Sequence, residues 1–123
     1  MAHILVIDDE PHIRTILEKL LSRDGHQVDT AENGLIGCKQ GNLFSYDLVI
    51  TDMVMPEKDG FEVIREFSKQ LPPPPIIVIT GGSERVDRGY LLSMARLLPV
   101  SRVLSKPINY EELSSIVCEV LKK

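Results

Sequence analysis

Residues 1–11 read MAHILVIDDEP, and the change from apolar to acidic residues within this stretch decides the first element of the fold. Four apolar residues, 4–7, are followed directly by Asp8, Asp9 and Glu10 and then by Pro11. A short continuous apolar run is typical of a strand buried on both faces of a parallel sheet. Because neighbouring carboxylates repel each other, their charges at the end of a buried strand lower stability unless a cation lies nearby. The stretch therefore predicts a buried strand that ends beside a cation site.

Similar runs rich in Ile and Val recur along the chain and predict four more strands. They cover residues 26–30, 48–51, 76–80 and 102–104. Three of them are nearly continuous, which favours burial on both faces of the sheet. The run at 26–30 reads HQVDT and is more polar, which is typical of an edge strand.

Segments with helical spacing lie between these runs. Pro11 is suited to the first turn of a helix and Gly25 to its exit, and the apolar residues between them recur on one helical face. Those apolar residues are Ile13, Ile16, Leu17, Leu20 and Leu21. Further helices are predicted at 34–40, at 60–71 before the proline run 72–75, at 83–100 and after Pro107.

Five strands that alternate with helices predict an α/β fold. The expected architecture is a three-layer (βα)5 sandwich, in which helices cover both faces of a parallel five-stranded sheet. Right-handed crossover connections leave few strand orders, and the flavodoxin-like order 2-1-3-4-5 fits five strands. No repeat or linker interrupts the pattern, so residues 1–123 are expected to form one domain.

The composition narrows the classes of function. The chain has 123 residues, of which 43% are hydrophobic and 26% charged, and its formal net charge is -4. Without clustered Lys and Arg, direct nucleic acid binding is not expected. Neither a signal peptide nor a membrane-spanning stretch is apparent, which predicts a cytoplasmic protein without membrane insertion. Cys38 and Cys118 lack a CxxC spacing and are interpreted as small buried hydrophobic residues in a reducing compartment.

Polar residues that are suited to catalysis or ligand binding lie at the ends of the predicted strands. Asp8 and Asp9 follow the first strand, Asp52 follows the third, Thr80 ends the fourth, and Lys106 follows the fifth. The carboxyl ends of parallel strands meet at one edge of the sheet, and ligands bind where the strand order reverses, here between strands 1 and 3. Three carboxylates at that place are expected to hold Mg²⁺, which favours carboxylates together with water and phosphate oxygens. A lysine and a hydroxyl facing the same place are suited to the remaining phosphoryl oxygens.

Each of these residues also has an ordinary structural interpretation. Asp8 and Asp9 are suited to capping the first helix, and Asp52 is suited to a turn. Thr80 is a common type of strand residue, and Lys106 could be a solvated surface lysine. Their joint placement at one sheet edge favours the site over these separate interpretations. The three histidines share no ligand spacing and are interpreted as surface or hydrogen-bonded residues: His3, His12 and His26.

Four motifs resemble the receiver domains of two-component response regulators, among them the chemotaxis response regulator. VIDDEP at 6–11 resembles the acidic pair of that family, and DLVITDMVMPEKDGFEVI at 47–64 resembles its phosphoacceptor segment. IIVITGG at 76–82 and VLSKP at 103–107 resemble its hydroxyl and Lys-Pro signatures. The motifs occur in the family's order and at similar spacing over essentially the whole chain.

The resemblance implies a role for each matching residue. Asp52 would accept a phosphoryl group from a histidine kinase or a histidine phosphotransfer protein, in a reaction that requires Mg²⁺. The metal ligands would be Asp8, Asp9 and the side chain of Asp52, together with the carbonyl group of Val54. Thr80 and Lys106 would bind phosphoryl oxygens, and the Lys106–Pro107 bond matches one that is cis in the family. The protein would catalyse only its own phosphorylation and dephosphorylation, and phosphorylation would change its affinity for a downstream protein.

Other classes of protein share parts of this pattern. An aspartyl-phosphate hydrolase of the haloacid dehalogenase type usually has a second Asp two residues after the nucleophile, where this chain has Val54, and it has a cap domain. A pseudo-receiver interaction module normally lacks part of the acidic pair, the nucleophile or the lysine. A flavodoxin-like electron carrier would have a phosphate-binding loop in place of DDEP.

One position departs from the family pattern. Many receivers have an aromatic residue three positions before the Lys-Pro lysine, and its ring turns inward on activation. Val103 occupies that position here. A β-branched side chain has a stiff first torsion and little volume. Weak coupling between the site and the neighbouring surface is therefore expected.

Overall fold

The fold is taken from a computed structural model, which describes residues 2–53, 59–80 and 100–122. The strands in these ranges are β1 (His3–Ile7), β2 (Gln27–Ala31), β3 (Leu48–Asp52), β4 (Ile76–Thr80) and β5 (Arg102–Ser105). The helices are α1 (Pro11–Arg23), α2 (Gly34–Leu43), α3 (Gly60–Phe67) and α4 (Tyr110–Leu121). All but the last residue of the helix predicted at 83–100 lies outside the described residues.

The five strands form one parallel sheet in the order β2-β1-β3-β4-β5. This arrangement confirms the predicted α/β fold and strand order. β1 lies between β2 and β3: Ile4 pairs with Val28 of β2 on one side and with Leu48 of β3 on the other. β2 lies at the edge, as its polar sequence predicted.

Side chains of the central strands alternate between two hydrophobic clusters, one on each face of the sheet. Ile4 and Val6 of β1 belong to the cluster that includes residues of α1 and α4, such as Leu17 and Leu113. Leu5 and Ile7 belong to the cluster that includes residues of α2 and α3, such as Cys38, Val63 and Phe67. The continuous apolar runs are explained by this burial on both faces.

Two predictions about burial were wrong. Cys118 is exposed, although Cys38 is buried as expected. In α4 the buried residues Leu113, Val117 and Val120 form one stripe, and Cys118 points away from it because it is a single residue beyond Val117. Ile16 was placed on the buried face of α1, but it lies at the margin of that stripe and is 37% exposed.

Several element boundaries also differ from the sequence pattern. β2 begins and ends one residue later than predicted, and α2 continues for three residues beyond Gln40. α3 ends at Phe67, well before the proline run, and Lys69 and Gln70 form tight turns after it. The run of prolines therefore does not itself end the helix.

Candidate functional site

The predicted site residues meet at the carboxyl edge of the sheet. Asp8 follows β1, Asp52 ends β3, Thr80 ends β4 and Lys106 follows β5. β1 and β3 are adjacent, and the chain order of the strands reverses at β1. This is the crevice in which ligands of open α/β sheets bind.

Three carboxylates converge in this crevice. One ligand oxygen from each of Asp8, Asp9 and Asp52 lies within 4.8 Å of the others. Asp8 and Asp52 are buried, and Asp9 is exposed. The Oδ2 atom of Asp8 is buried, and no residue in the described ranges donates a hydrogen bond to it. This oxygen accepts no hydrogen bond from the described residues, although the Lys106 ammonium lies 3.4 Å away, and its position beside two further carboxylates fits a hard divalent cation.

Asp8 is held by the backbone at the start of α1. Its Oδ1 accepts a hydrogen bond from the Glu10 N–H at 2.9 Å, and its carbonyl oxygen accepts one from Arg14 Nη1 at 2.7 Å. Burial raises the pKa of Asp8, although the bond from the Glu10 N–H and the charge of Lys106 act in the opposite direction. The residue that caps α1 is Glu10, and its side chain makes no capping hydrogen bond. The capping interpretation of Asp8 and Asp9 is therefore wrong.

One carboxylate oxygen of Asp52 accepts a hydrogen bond from the backbone, and the other accepts one from the Lys106 ammonium. Its Oδ1 accepts a hydrogen bond from the Met53 N–H at 2.7 Å, and its Oδ2 accepts one from Lys106 Nζ at 3.1 Å. Burial, with a further contribution from the charge of Asp8, raises the pKa of Asp52 to about 6, while Lys106 acts to lower it. Asp52 is thus a buried ionisable group, close to the carboxylates of Asp8 and Asp9 and to the Lys106 ammonium.

Lys106 is directed into the site. Its Nζ lies 3.1 Å from Asp52 Oδ2, 2.9 Å from Glu10 Oε2 and 3.4 Å from Asp8 Oδ2. Burial lowers the pKa of Lys106, but the hydrogen bond to Glu10 and the charge of Asp52 outweigh this effect and raise it. The side chain is only 15% exposed, so the surface interpretation is wrong. The Lys106–Pro107 bond is cis, as the family resemblance implied.

Thr80 is buried at the end of β4 and is linked to β5. Its hydroxyl donates a hydrogen bond to the Leu104 carbonyl at 3.3 Å, and its own carbonyl accepts one from the Lys106 N–H at 2.8 Å. These bonds hold Thr80 and Lys106 next to each other at the sheet edge. Val54, the remaining predicted metal ligand, lies outside the described residues.

Two residues of the site were not assigned from the sequence. Glu10 accepts a hydrogen bond from Lys106, and Arg14 binds the Asp8 carbonyl. Glu10 could have been found, since it continues the acidic run, but its partner is 96 positions away in the sequence. Arg14 had no comparable signal, because a single arginine on a helix is usually a surface residue.

The histidines have structural roles or lie at the surface, as predicted. His3 Nε2 lies 2.8 Å from Asp29 Oδ2, and His26 Nδ1 accepts a hydrogen bond from the Ala2 N–H at 3.2 Å. His12 is exposed. Within the described ranges, no helix is both long enough and apolar enough to span a membrane.

Comparison with known proteins identifies the family. The model of the response regulator receiver domain family matches residues 4–118. The chain is 32% identical over 122 residues to the transcriptional regulatory protein GlrR of Escherichia coli, covering 99% of this chain and 27% of GlrR. It spans between about a quarter and about a half of the length of the curated relatives considered.

Solved structures agree with this assignment. The response regulator TrrA of Thermotoga maritima, in complex with Mg²⁺ and beryllium fluoride, is 38% identical, with a TM-score of 0.81 over 98% of this chain and 99% of that one. The receiver domain of the sensor histidine kinase PA1611 of Pseudomonas aeruginosa holds a magnesium ion in its active-site cleft. It is 26% identical, with a TM-score of 0.85, and the match covers 99% of this chain and 98% of that one. Neither the hydrolase nor the electron-carrier alternative gains support from these matches. The chain therefore belongs to the response regulator receiver domain family, whose members are signalling modules rather than true enzymes.

Proposed function

We propose that Asp52 accepts the phosphoryl group in a two-component phosphorelay. The proposal rests on the burial of Asp52 and on the charged groups that surround it. Its carboxylate is buried, lies 3.1 Å from the Lys106 ammonium and shares a pocket with the carboxylates of Asp8 and Asp9. A nucleophile, a charge-stabilising cation and a metal-binding acidic group are the parts that phosphoryl transfer requires.

The acidic residues are assigned to a magnesium ion. Asp8, Asp9 and Asp52 would hold it through carboxylate oxygens, and the family resemblance adds the carbonyl group of Val54. Two structurally similar receivers, TrrA and that of PA1611, hold magnesium, which supports this assignment. When bound, the ion supplies positive charge to the oxygens of the transferred group.

The other parts of phosphoryl transfer are assigned to side chains and backbone groups of this chain. A carboxylate oxygen of Asp52 forms the new bond to phosphorus as the bond from phosphorus to the donor nitrogen or oxygen breaks, and the donor leaves with that electron pair. The Met53 N–H keeps Oδ1 in place. Lys106 donates hydrogen bonds to a phosphoryl oxygen and stabilises its charge. Thr80 binds another phosphoryl oxygen after its hydroxyl leaves the Leu104 carbonyl.

The proposal extends to the partners and the cellular context. The donor is a histidine kinase or a histidine phosphotransfer protein, and the product changes the affinity of this domain for a downstream protein. Residues 1–123 act as one receiver domain in the cytoplasm. The charge and acceptor oxygens added to Asp52 are the physical basis of such a switch.

Phosphorylation by a small donor tests the assignment of Asp52. Incubation with acetyl phosphate and Mg²⁺ is expected to add one phosphoryl group, detected by intact-mass spectrometry. The added mass should be absent in Asp52→Asn and after chelation of the metal. Equal labelling of the Asn variant would exclude Asp52 as the acceptor, and an unlabelled natural protein would favour a pseudo-receiver.

A second variant tests the metal assignment. Asp9→Asn is expected to weaken Mg²⁺ binding and slow phosphorylation because it removes one carboxylate ligand. Asp9 is exposed, so the substitution should leave the melting temperature in EDTA unchanged or slightly higher as repulsion is relieved. Thermal melts with and without Mg²⁺ measure both effects. An unchanged Mg²⁺-dependent increase in melting temperature would remove Asp9 from the ligand set.

A further inference from the structure

The side chain of Glu10 is bonded to the lysine that phosphoryl transfer requires. Lys106 Nζ donates a hydrogen bond to Glu10 Oε2 at 2.9 Å, a shorter contact than its 3.1 Å bond to Asp52. An ammonium group has only three N–H donors. In this arrangement two of them are taken by carboxylates, and Asp8 Oδ2 lies at 3.4 Å from the same nitrogen.

The three carboxylates around Lys106 differ in their freedom to move. The side chains of Asp8 and Asp52 are each 2% exposed, whereas that of Glu10 is 45% exposed. A carboxylate at the rim of the pocket can exchange its bond to Lys106 for bonds to water at little cost. A buried carboxylate has no such replacement, since desolvated charge without a partner is strongly unfavourable. Of the three groups, Glu10 is therefore the one that can release Lys106.

We propose that Glu10 is a positioning residue that holds the Lys106 ammonium in the resting domain and competes for it with the incoming phosphoryl oxygens. This inference rests on the function proposed above for Asp52 and Lys106. The Glu10 charge acts against the anion that enters the site, because it neutralises part of the positive charge of Lys106. The same negative charge attracts the cation held by the neighbouring acidic residues.

This double role predicts opposite effects on two ligands. Glu10→Gln keeps the size of the side chain and removes its charge. Beryllofluoride, an analogue of the phosphoryl group, is expected to bind about three- to tenfold more tightly at saturating Mg²⁺, as estimated for one charge at several ångströms that water screens strongly because Glu10 lies at the rim of the pocket. Mg²⁺ alone is expected to bind roughly two- to fivefold more weakly for the same reason. Damage to the fold would weaken both interactions.

The experiment compares four proteins: the natural chain, Glu10→Gln, Glu18→Gln and Asp52→Asn. Glu18 is an exposed residue on α1, so Glu18→Gln makes the same change in net charge on the same helix. Mg²⁺ affinity is measured by calorimetry without a phosphoryl donor. Beryllofluoride affinity is measured from amide chemical shifts at saturating Mg²⁺. Glu18→Gln should match the natural chain in both measurements.

The outcomes separate this inference from the proposed function. If the natural chain binds beryllofluoride and Asp52→Asn does not, the assignment of Asp52 stands. Under that condition, beryllofluoride affinity in Glu10→Gln that equals or falls below that of the natural chain overturns the competition. If Glu18→Gln changes both affinities as Glu10→Gln does, net charge rather than the contact with Lys106 is responsible. If the natural chain does not respond to beryllofluoride, the proposed function itself fails.

Discussion

At the scale of single residues, the site is a strongly coupled group of charges around one lysine. Asp52 and Asp8 are buried close to each other, and each has a raised pKa because burial disfavours its charge. Lys106 compensates for part of this cost through its bond to Asp52. The same carboxylates are the ligands proposed for a metal, so a cost in stability at this place is expected of a functional site.

The raised pKa of Asp52 predicts that stability without metal falls as the pH rises. The pKa is about 6 in the folded state against 3.8 ordinarily, so the folded state binds the proton more tightly than the unfolded state does. The extra stability of the protonated form is complete below pH 3.8 and is lost as the pH rises through about 6. The expected loss is about 2–3 kcal/mol, and Asp8 contributes in the same direction.

Urea unfolding in EDTA at a series of pH values measures this effect. Asp52→Asn should flatten the decline, because its amide does not ionise. Added Mg²⁺ should restore stability most strongly above pH 6, where metal no longer competes with protons for Asp52. Stability that rises between pH 4 and 6 in EDTA, with no difference in the Asn variant, would contradict the raised pKa.

At the scale of elements, α3 is fixed against the chain segment that carries Asp52. Gly60 is the first residue of α3, and its N–H donates a hydrogen bond to the Met53 carbonyl at 2.9 Å. The Asp59 side chain caps the helix by accepting a hydrogen bond from the Glu62 N–H at 3.1 Å. A Cβ atom added at Gly60 would lie 2.7 Å from the Asp52 carbonyl oxygen and 2.8 Å from the Met53 Cα. Glycine is therefore required here for close approach of two backbones.

We predict that Gly60→Ala disturbs both stability and the site. The clash is with backbone atoms, so relief requires α3 or the end of β3 to move, at a cost of about 1–3 kcal/mol. Phosphorylation by acetyl phosphate should slow because Asp52 belongs to the displaced segment. Urea unfolding and the rate of mass increase measure the two effects.

Gly25→Ala is the matched control. Gly25 lies in the turn between α1 and β2 with φ +93°, and an added Cβ there would contact nothing within 4 Å. The backbone conformation alone should cost about 1 kcal/mol and leave the phosphorylation rate unchanged. If Gly60→Ala also left the rate unchanged, α3 would not be positioning Asp52.

At the scale of the whole molecule, the question is how a change at the site reaches the surface. Val103 pairs with Val78 of β4 and packs partly buried against the hydrophobic cluster beneath α2 and α3. The family resemblance places an aromatic ring at this position. Valine is too small to fill the space that such a ring occupies when it turns inward, so we predict weaker coupling between Thr80 and the surface.

Beryllofluoride is therefore expected to shift the amide signals near Asp52 and Thr80 strongly and those of β5 only modestly. Amide spectra with and without the ligand measure the pattern. Val103→Tyr restores an aromatic ring and should enlarge the shifts in β5. Large shifts throughout residues 90–104 of the natural chain would show that Val103 does not limit the coupling.

The local sequence pattern was sufficient to predict the order of strands and helices and most residues of the candidate site. Continuous apolar runs identify strands buried on both faces, and helical spacing identifies what connects them. The polar residues that end those strands, such as Asp8, Asp52 and Thr80, then fall at one sheet edge by topology alone. These features depend on neighbours in the sequence and on the few ways of connecting parallel strands, so the sequence by itself determined them.

Tertiary structure alone decided which charges meet and which residues are covered. The bond between Glu10 and Lys106 joins residues 96 positions apart, and it exists because β1 and β5 end at the same edge of the sheet. The exposure of Cys118 and Ile16 depended on how far each helix rotates against the sheet, which apolar spacing defines only to within a side chain. The raised pKa of Asp52 likewise follows from its burial and from the charge of Asp8, which follows a different strand and approaches Asp52 only in the folded sheet. Long-range packing, rather than local preference, sets each of these properties.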